Sequence, residues 1–465
     1  MSEMQQVIER IHGDSLLMAV AAIAKGEKAD LYLVGGTIRD FILGRGRQDY
    51  DFVLHQRDMT FIQKLRDGLK GYLFSLGRHE EQRVYRILVA NETLDFNRID
   101  GPTIEDDLRK RDFTINAVAY SLREDRFYSH PKAEGDIRER LIRMASPESF
   151  DRDPLRMMRG VRYLCTLRGF RMNERTKSVI REKSHLIRNT SVERTKMEMD
   201  SILLSPDPPS GMKQLAALGL LIEIVPELGV RDGGKPMDLL RVHGFSHYLR
   251  FLLCLQQWNG KEVDWQLHTE ERLILSYAGL FAGMERIRAA DYDRNAKKPV
   301  TPVSFQPLAT EVMIRMKFSN RFKDLLKKIL EHHVKLLNFS RSPMDSGDLR
   351  AIIHRIGTPL RLVIVFSLLD HAAGPGDARF HGDERLVQLC HRIKTLSEEG
   401  VTLSPPTLIT GRDVIRMGFT PGPVVGHILR CVREKQIRGE IGNRKQALTF
   451  LRETFIKEEG SHVSS

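Results

Sequence analysis

Apolar and polar positions divide the chain into two regimes. From residue 31 to about residue 130, short apolar runs alternate with polar breaks, a pattern that predicts a small α/β unit. Leu31 to Val34 runs into Gly35-Gly36, a helical segment follows from Thr37 to Leu43, and Gly44 and Gly46 close it, so strand, glycine turn and short helix are expected. A second strand carries Asp49 and Asp51 on either side of Tyr50. A helix is expected near Met59 to Leu69, with strands at Tyr72 to Leu76, Arg83 to Ala90 and Thr93 to Phe96. Residues 1–28 read as one amphipathic helix ahead of the first strand. From about residue 137 onward apolar residues recur at helical spacing, through Met157, Met158, Val161, Leu164 and Leu167, then 202–204, 215–224 and most of the rest. The expected fold class is therefore α+β, a small mixed α/β head followed by an all-helical remainder. Breaks are expected at Ser205 to Gly211, Gly229 to Pro236, Asn295 to Pro307 and Ser404 to Thr407, and the polar end Gly460 to Ser465 is expected to pack on nothing.

Length and charge narrow this picture. At 465 residues the chain exceeds one ordinary core, so two to four domains are expected. Lys and Arg number 73 against 61 Asp and Glu, and the net charge of +12 favours a polyanionic partner. The four cysteines, Cys165, Cys254, Cys390 and Cys431, are far apart in apolar or helical stretches and form neither a disulfide framework nor a zinc knuckle, which points to a reducing compartment. Leu16 to Ala24 is too short to span a bilayer, so a cytoplasmic protein without a membrane partner is expected.

The candidate chemistry lies between Gly35 and Asp51. A strand's period of two puts Asp49 and Asp51 on one face, toward the glycine turn. Paired carboxylates that hold one or two divalent ions, beside backbone N–H groups left bare for phosphate oxygens, are what phosphoryl or nucleotidyl transfer needs. A bare Gly-Gly is usually only a turn, and a bare Asp-x-Asp only a solvated strand face. Their fixed order with Arg39-Asp40 between them favours the functional reading. Asp95 is either a third carboxylate toward the metal or a plain strand acid.

Gly35-Gly36-x-x-Arg39-Asp40 followed by Asp49-x-Asp51 resembles the active-site signature of the class II tRNA nucleotidyltransferase and poly(A) polymerase family, of the polymerase β-like superfamily. Further matches follow in the family's order. Arg111-Asp112-Phe113-Thr114-Ile115-Asn116-Ala117 resembles its RRDFTxNA motif, with Lys110 in place of the first Arg; the resemblance implies that Asp112 and Asn116 lie by the ribose and triphosphate, and Arg111 can donate to phosphate as a fixed fork. Asp136 to Arg143 is similar to the motif that links head and neck. Asp153-Pro154-Leu155-Arg156-Met157-Met158-Arg159 resembles EDxxR and its basic helix, which implies that Asp153 and Arg156 pair with the incoming base and that Arg159 belongs to the nucleotide site. A carboxylate accepting from the amino group of C or A, beside a guanidinium donating to the ring nitrogen, fits CTP and ATP and rejects GTP and UTP. Asp153-Pro154 is equally a helix N-cap with Pro at N1, and both roles can coexist. Arg152 stands where the family has Glu. Glu193-Arg194-x-x-x-Glu198 is similar to the bracing ERxxxE motif, and Thr190-x-x-Glu193 reads as a capping box. Gly411-Arg412-Asp413 through Thr420-Pro421-Gly422-Pro423 and Gly426 resembles the segment that holds tRNA in the C-terminal region.

The resemblance implies a polymerase β-like nucleotidyltransferase head over residues 1–137, a helical neck that reads the base over 138–228, a helical body over 229–400 and a tRNA-binding tail over 401–465. It implies addition of nucleotides to the tRNA 3′ end from CTP and ATP with release of pyrophosphate, with Mg²⁺ as cofactor held by Asp49 and Asp51, and with Gly35, Gly36 and Arg39 on the triphosphate. In the body, some relatives carry a phosphohydrolase of HD type, but the adjacent His-Asp pair is missing at Leu275 to Met284. His243, His247, His332, His333 and Asp370-His371 are therefore read as satisfied residues of a degenerate HD-like region. Relatives that add the terminal A carry a longer segment before the RRDFT motif than Phe96 to Glu105, which leans toward CC addition. Full CCA addition, A addition and poly(A) synthesis are the alternatives within the class. A non-catalytic RNA-binding protein is the alternative outside it, disfavoured by the intact Asp49/Asp51 and Arg111-Asp112.

Overall fold

The computed structural model describes residues 3–46, 49–55, 59–76, 84–229, 231–232, 235–260, 265–296, 306–340, 345–357, 359–374, 384–398 and 405–456. Two compact units, Met1–Pro226 and Glu227–Ser465, make up the chain.

The first unit opens with two helices, α1 (Glu3–Gly13) and α2 (Ser15–Gly26), where one was expected. Asp14 separates them: its backbone is extended, and its carboxylate accepts from Leu16 N and Leu17 N, both at 3.0 Å, so it caps α2 rather than continuing α1. Then follow β1 (Leu31–Val34), α3 (Gly36–Ile42), β2 (Asp49–Leu54), α4 (Met59–Leu69), β3 (Tyr72–Leu76), β4 (Val84–Val89), β5 (Glu92–Arg98), α5 (Ile104–Arg109), β6 (Val118–Ser121) and β7 (Arg126–Ser129). The seven strands form one sheet in the order β3-β4-β5-β2-β1-β6-β7. All pairs are antiparallel except β2 with β5, which run parallel.

Alternation along the strands gives the sheet two unlike faces. Tyr50, Phe52, Tyr85, Ile87, Leu94 and Phe96 are buried on one, with the Phe52 and Phe96 rings stacked at 5.0 Å. There Tyr50 Oη donates to Asp14 at 2.5 Å, and α4 packs on β3, β4 and α2. On the other face, Tyr32, Val34, Val53, Ala117 and Ala119 pack under Ile104 and Leu108 of α5. Asp49, Asp51, Thr93 and Asp95 lie further along that same face.

α6 (Ala133–Arg138) leads to β8 (Leu141–Ile142), and then come α7 (Ser149–Arg152) and α8 (Leu155–Thr166), β9 (Arg171–Met172), α9 (Glu174–Lys183), α10 (Val192–Leu203), α11 (Pro208–Ala217) and α12 (Leu220–Ile224). β8 and β9 pair in parallel, a short ladder within the region expected to be helical. α8 packs on α10 and α11. At Gly160 an added Cβ would meet the Phe113 ring at 2.7 Å, so glycine there is what lets α8 approach the head. Ser191, not Thr190, caps α10 by accepting from Arg194 N; the residue at N3 is then Arg194 rather than Glu193, so the expected capping box does not form.

The second unit holds a minimal pair, β10 (Arg231–Asp232) with β11 (Lys235–Pro236), and helices α13 (His243–Gln257), α14 (Thr269–Ala296), α15 (Gln306–Arg315), α16 (Asn320–Ser340), α17 (Ser346–Ile356), α18 (Leu360–Ala372) and α19 (Glu384–Glu398). Asp370 of α18 is buried and accepts from His247 Nε2 of α13 at 3.0 Å and from Arg286 of α14 at 2.6 Å. His333 of α16 is buried beside the Phe366 ring. His247 and His333 are thus core residues with partners. α20 (Gly411–Arg416), α21 (Pro423–Arg438) and α22 (Arg444–Leu451) close around Ile409, Val414, Ile428, Val432, Ala447 and Leu451. Arg438 joins α21 to Asp345 and Asp348 at the start of α17. The expected breaks at 295–307 and 404–407 fall largely or partly outside the described residues, as does Gly460 to Ser465. Among the described residues no single helix is long and apolar enough to cross a membrane.

Candidate active site

The glycine turn is built as the sequence demands. Gly35 has φ 70° and ψ −129°, a conformation open to glycine and strained for other residues, and it reverses the chain from β1 into α3. Its N–H donates to Val118 O at 3.1 Å and so belongs to the sheet; the backbone left facing the site begins at Gly36. Opposite the turn, β2 presents Asp49, exposed, and Asp51, half-buried. Thr37 Oγ1 links the two elements, accepting from Asp51 N at 3.4 Å.

Between the head and α8 lies a cavity of about 330 Å³. Gly35, Gly36, Arg39, Asp51, Arg111, Asp112, Asn116, Arg156, Arg159, Arg162 and Tyr163 line it. Nine of these are residues expected from the sequence, brought together from β1, α3, β2, the 111–116 turn and α8. Asp49 is beside the cavity on β2, and Asp153 precedes α8; neither is part of the lining. Five arginines and two aspartates are in the lining, so guanidinium groups dominate its polar surface.

Each arginine is held by an acid or a carbonyl. Arg39, buried, donates from Nε to Asp40 at 2.9 Å and from Nη1 to Asn116 Oδ1 at 2.6 Å. Asn116 passes the network on, donating to Asp112 Oδ1 at 3.0 Å and to Tyr163 Oη at 3.1 Å. Asp112 also accepts from Phe113 N at 2.8 Å and pairs with Arg159 at 3.1 Å. Burial alone would raise the Asp112 pKa, but Arg159, Asn116 and the Phe113 N–H together hold it below the usual carboxylate range. The same pairing raises Arg159. Arg111 is clamped through Nε and Nη2 by the buried Asp107, at 2.8 and 2.7 Å. Arg156 donates to Lys110 O at 2.8 Å and to Ser149 Oγ at 2.9 Å; burial depresses its pKa.

Asp153 is not the N-cap of α8 as expected, because Pro154 takes that position, but its carboxylate still reaches the first turn. Its Oδ1 accepts from Leu155 N at 3.3 Å, while Oδ2 pairs with Arg194 of α10 at 2.9 Å. Arg162 pairs with Glu198 at 2.8 Å, so two of the three charged residues of the ERxxxE match, Arg194 and Glu198, grip the helix that lines the cavity and the residue that leads into it. Arg152 is exposed. Asp95 stands in register beside Asp51 but is engaged at both oxygens by Arg86, at 2.6 and 2.7 Å. Sequence reasoning missed Tyr163, Arg162 and Asp107. The i, i+4 pairs Asp107/Arg111 and Arg159/Tyr163 are the signals that could have found two of them.

Residues 31–143 match the family described as "Poly A polymerase head domain", and residues 169–230 match "Probable RNA and SrmB- binding site of polymerase A". Over 450 residues the chain is 30% identical to a protein of Deinococcus radiodurans named A-adding tRNA nucleotidyltransferase, covering 92% of this chain and 96% of that one. The chain belongs to the tRNA nucleotidyltransferase family. It is a nucleotidyltransferase with a polymerase β-like head and a helical remainder. A second member, the CC-adding tRNA nucleotidyltransferase of Thermus thermophilus, is 26% identical over 430 residues, 91% of this chain and 93% of the relative. The fold extends to a solved CCA-adding enzyme in complex with CTP, at a TM-score of 0.66 and 19% identity over 97% of this chain and 98% of the other. Family members of different specificity thus resemble the chain along nearly its whole length.

Proposed function

We propose that this enzyme extends the 3′ end of tRNA without a nucleic-acid template, taking CTP or ATP and releasing pyrophosphate. The observation that carries the reading is the cavity itself: five arginines, each fixed by a neighbour, converge beside the Asp49/Asp51 face and the Gly35-Gly36 turn. Such a cavity suits a triphosphate, because the guanidinium forks need little reorganisation when the anion arrives.

Two carboxylates on one strand face are a hard oxygen donor set that suits Mg²⁺, with phosphate oxygens and water to complete the shell. When bound there, the ion would lower the pKa of the RNA 3′-hydroxyl and offset charge on the α-phosphate. The chain's own side chains do the positioning. Arg39 and Arg159 bind phosphate oxygens, Arg111 and Asp112 the sugar and phosphate, and Asn116 fixes Arg39 and Asp112 relative to one another. Asp153 and Arg156 read the base edge. The 3′-oxygen attacks the α-phosphorus, the bond to the bridging oxygen breaks, and pyrophosphate leaves; no covalent enzyme intermediate is needed.

CC addition is the finer reading. β5 ends at Arg98 and α5 starts at Ile104, and this short link is tied down by Asp100 N to Asp107 at 2.9 Å and by Lys110 Nζ to Asp100 at 2.7 Å. A fixed short link supports an enzyme that does not re-form its pocket for A. The 30% identity to an A-adding relative favours the alternative, addition of A. Asp49→Ala and Asp51→Ala are expected to lower incorporation at least a thousandfold with unchanged thermal unfolding; undiminished incorporation by either would sink the site assignment.

A further inference from the structure

Cross-strand register ties each carboxylate of β2 to an aromatic ring at the sheet edge. Asp49 pairs with Thr93, Thr93 with Leu88, and Leu88 with Tyr72. One row along, Asp51 pairs with Asp95, Asp95 with Arg86, and Arg86 with Phe74. Residues opposite one another share a face, so two parallel rows run from the carboxylates to β3. Three strand gaps of about 4.8 Å span about 14 Å, roughly four stacked nucleotides at about 3.4 Å each.

The far end of these rows is unusual for an edge strand, which normally carries charges. Tyr72 is 80% exposed, Phe74 39% and Leu88 36%. Between the rings and the carboxylates, Arg86 is held to Asp95 by two hydrogen bonds and also feels the charges of Asp49 and Asp51. The surface therefore offers aromatic faces, a guanidinium plane and a threonine hydroxyl, in line with the reacting centre.

We propose that this face seats the single-stranded 3′ end of the RNA, with Tyr72 and Phe74 stacking the bases behind the terminal nucleotide. The inference rests on the proposed function, since the 3′-hydroxyl must lie at Asp49 and Asp51. Its chemical logic is tolerance: the bases behind the terminus change with every addition, and a ring face stacks on any base where a hydrogen-bonding site would not. The rows are continuous with the catalytic face, and the net charge of +12 favours a polyanion over another copy of this chain.

The test uses the full chain with Mg²⁺, CTP and tRNA ending at C, whose unpaired discriminator base lies behind the terminal nucleotide. Tyr72→Ala and Phe74→Ala should each raise the KM for tRNA about tenfold, and the double variant should raise it more. The kcat and the KM for CTP should stay within about twofold, and Tyr72→Phe and Phe74→Tyr should retain the parental values. A tRNA abasic at its penultimate positions should weaken binding to the parent as the double variant does, and weaken the double variant no further. An unmoved KM for tRNA in the double variant overturns the proposal. So does a change confined to the KM for CTP, or a loss of self-association with tRNA binding intact, which would give the edge to a second copy. If the parent incorporated no nucleotide at all, the proposed function would fail; filter binding of the 3′-overhang RNA to parent and double variant would still decide whether the face holds RNA.

Discussion

Asp112 is where burial and charge oppose one another most directly. Buried against Phe113 and α8, its carboxylate stays ionised because Arg159, the Asn116 amide and the Phe113 N–H all favour the anion. Replacing it by Asn would leave the half-buried Arg159 beside a neutral partner. A loss of about 1–2 kcal/mol in stability is expected, read as a lowered urea midpoint, together with a raised KM for nucleotides. The sign with pH follows from the depressed pKa: the stabilisation is present above the unfolded carboxylate's pKa near 3.8 and is lost as pH falls below it. The parent should therefore lose its advantage over Asp112→Asn in acid, and an advantage that persisted unchanged at pH 2 would contradict the assignment.

Elements hold these residues in two ways, one local and one not. The strand through Asp49 and Asp51 is legible in sequence because buried Tyr50 and Phe52 alternate with them, and the Gly35-Gly36 turn because its backbone conformation requires glycine. β6 is not, since Val118 to Ser121 is buried on both faces and has no alternation to read. The split of α1 from α2 hides behind continuous apolar spacing, broken only by the cap at Asp14. The grip of α10 on α8 is a pairing across about forty residues that no spacing announces. That grip gives a prediction. The Arg194–Asp153 pair is partly exposed and adds about 0.2–1 kcal/mol or less to stability. Arg194→Ala should therefore unfold almost as the parent does yet admit UTP and GTP more readily against CTP, because Asp153 loses the contact that aims it. Unchanged discrimination would remove Arg194 from base reading.

At the scale of the whole molecule, the head and its site were readable because the chemistry is condensed into short, ordered motifs, whereas the helical second unit spreads its constraints over α13, α14, α16 and α18. There the charged knot around Asp370 was visible only as Asp370 and scattered histidines, with nothing in the spacing to join them to Arg286. Glu285, next to Arg286, is raised to about 7 by burial, with Asp370 adding to the shift and Arg286 opposing it. A raised carboxylate lowers stability as pH climbs from the unfolded value near 4.5 to about 7, and the cost stays constant above that. Glu285→Gln should thus stabilise the second unit at pH 8, by about 1 kcal/mol once solvent screening at this half-buried site is allowed for, and have little effect at pH 4; the reverse order would contradict the burial.

The central claim is nucleotide addition at the Asp49/Asp51 face. The measurement that tests it most directly incubates the purified chain with Mg²⁺ and each labelled nucleoside triphosphate in turn, on tRNA ending at the discriminator base, at C and at CC. C added to the first two acceptors, with no A added to the third, is the predicted result. A added to the third acceptor would overturn the CC reading, and no incorporation on any acceptor would contradict the account itself.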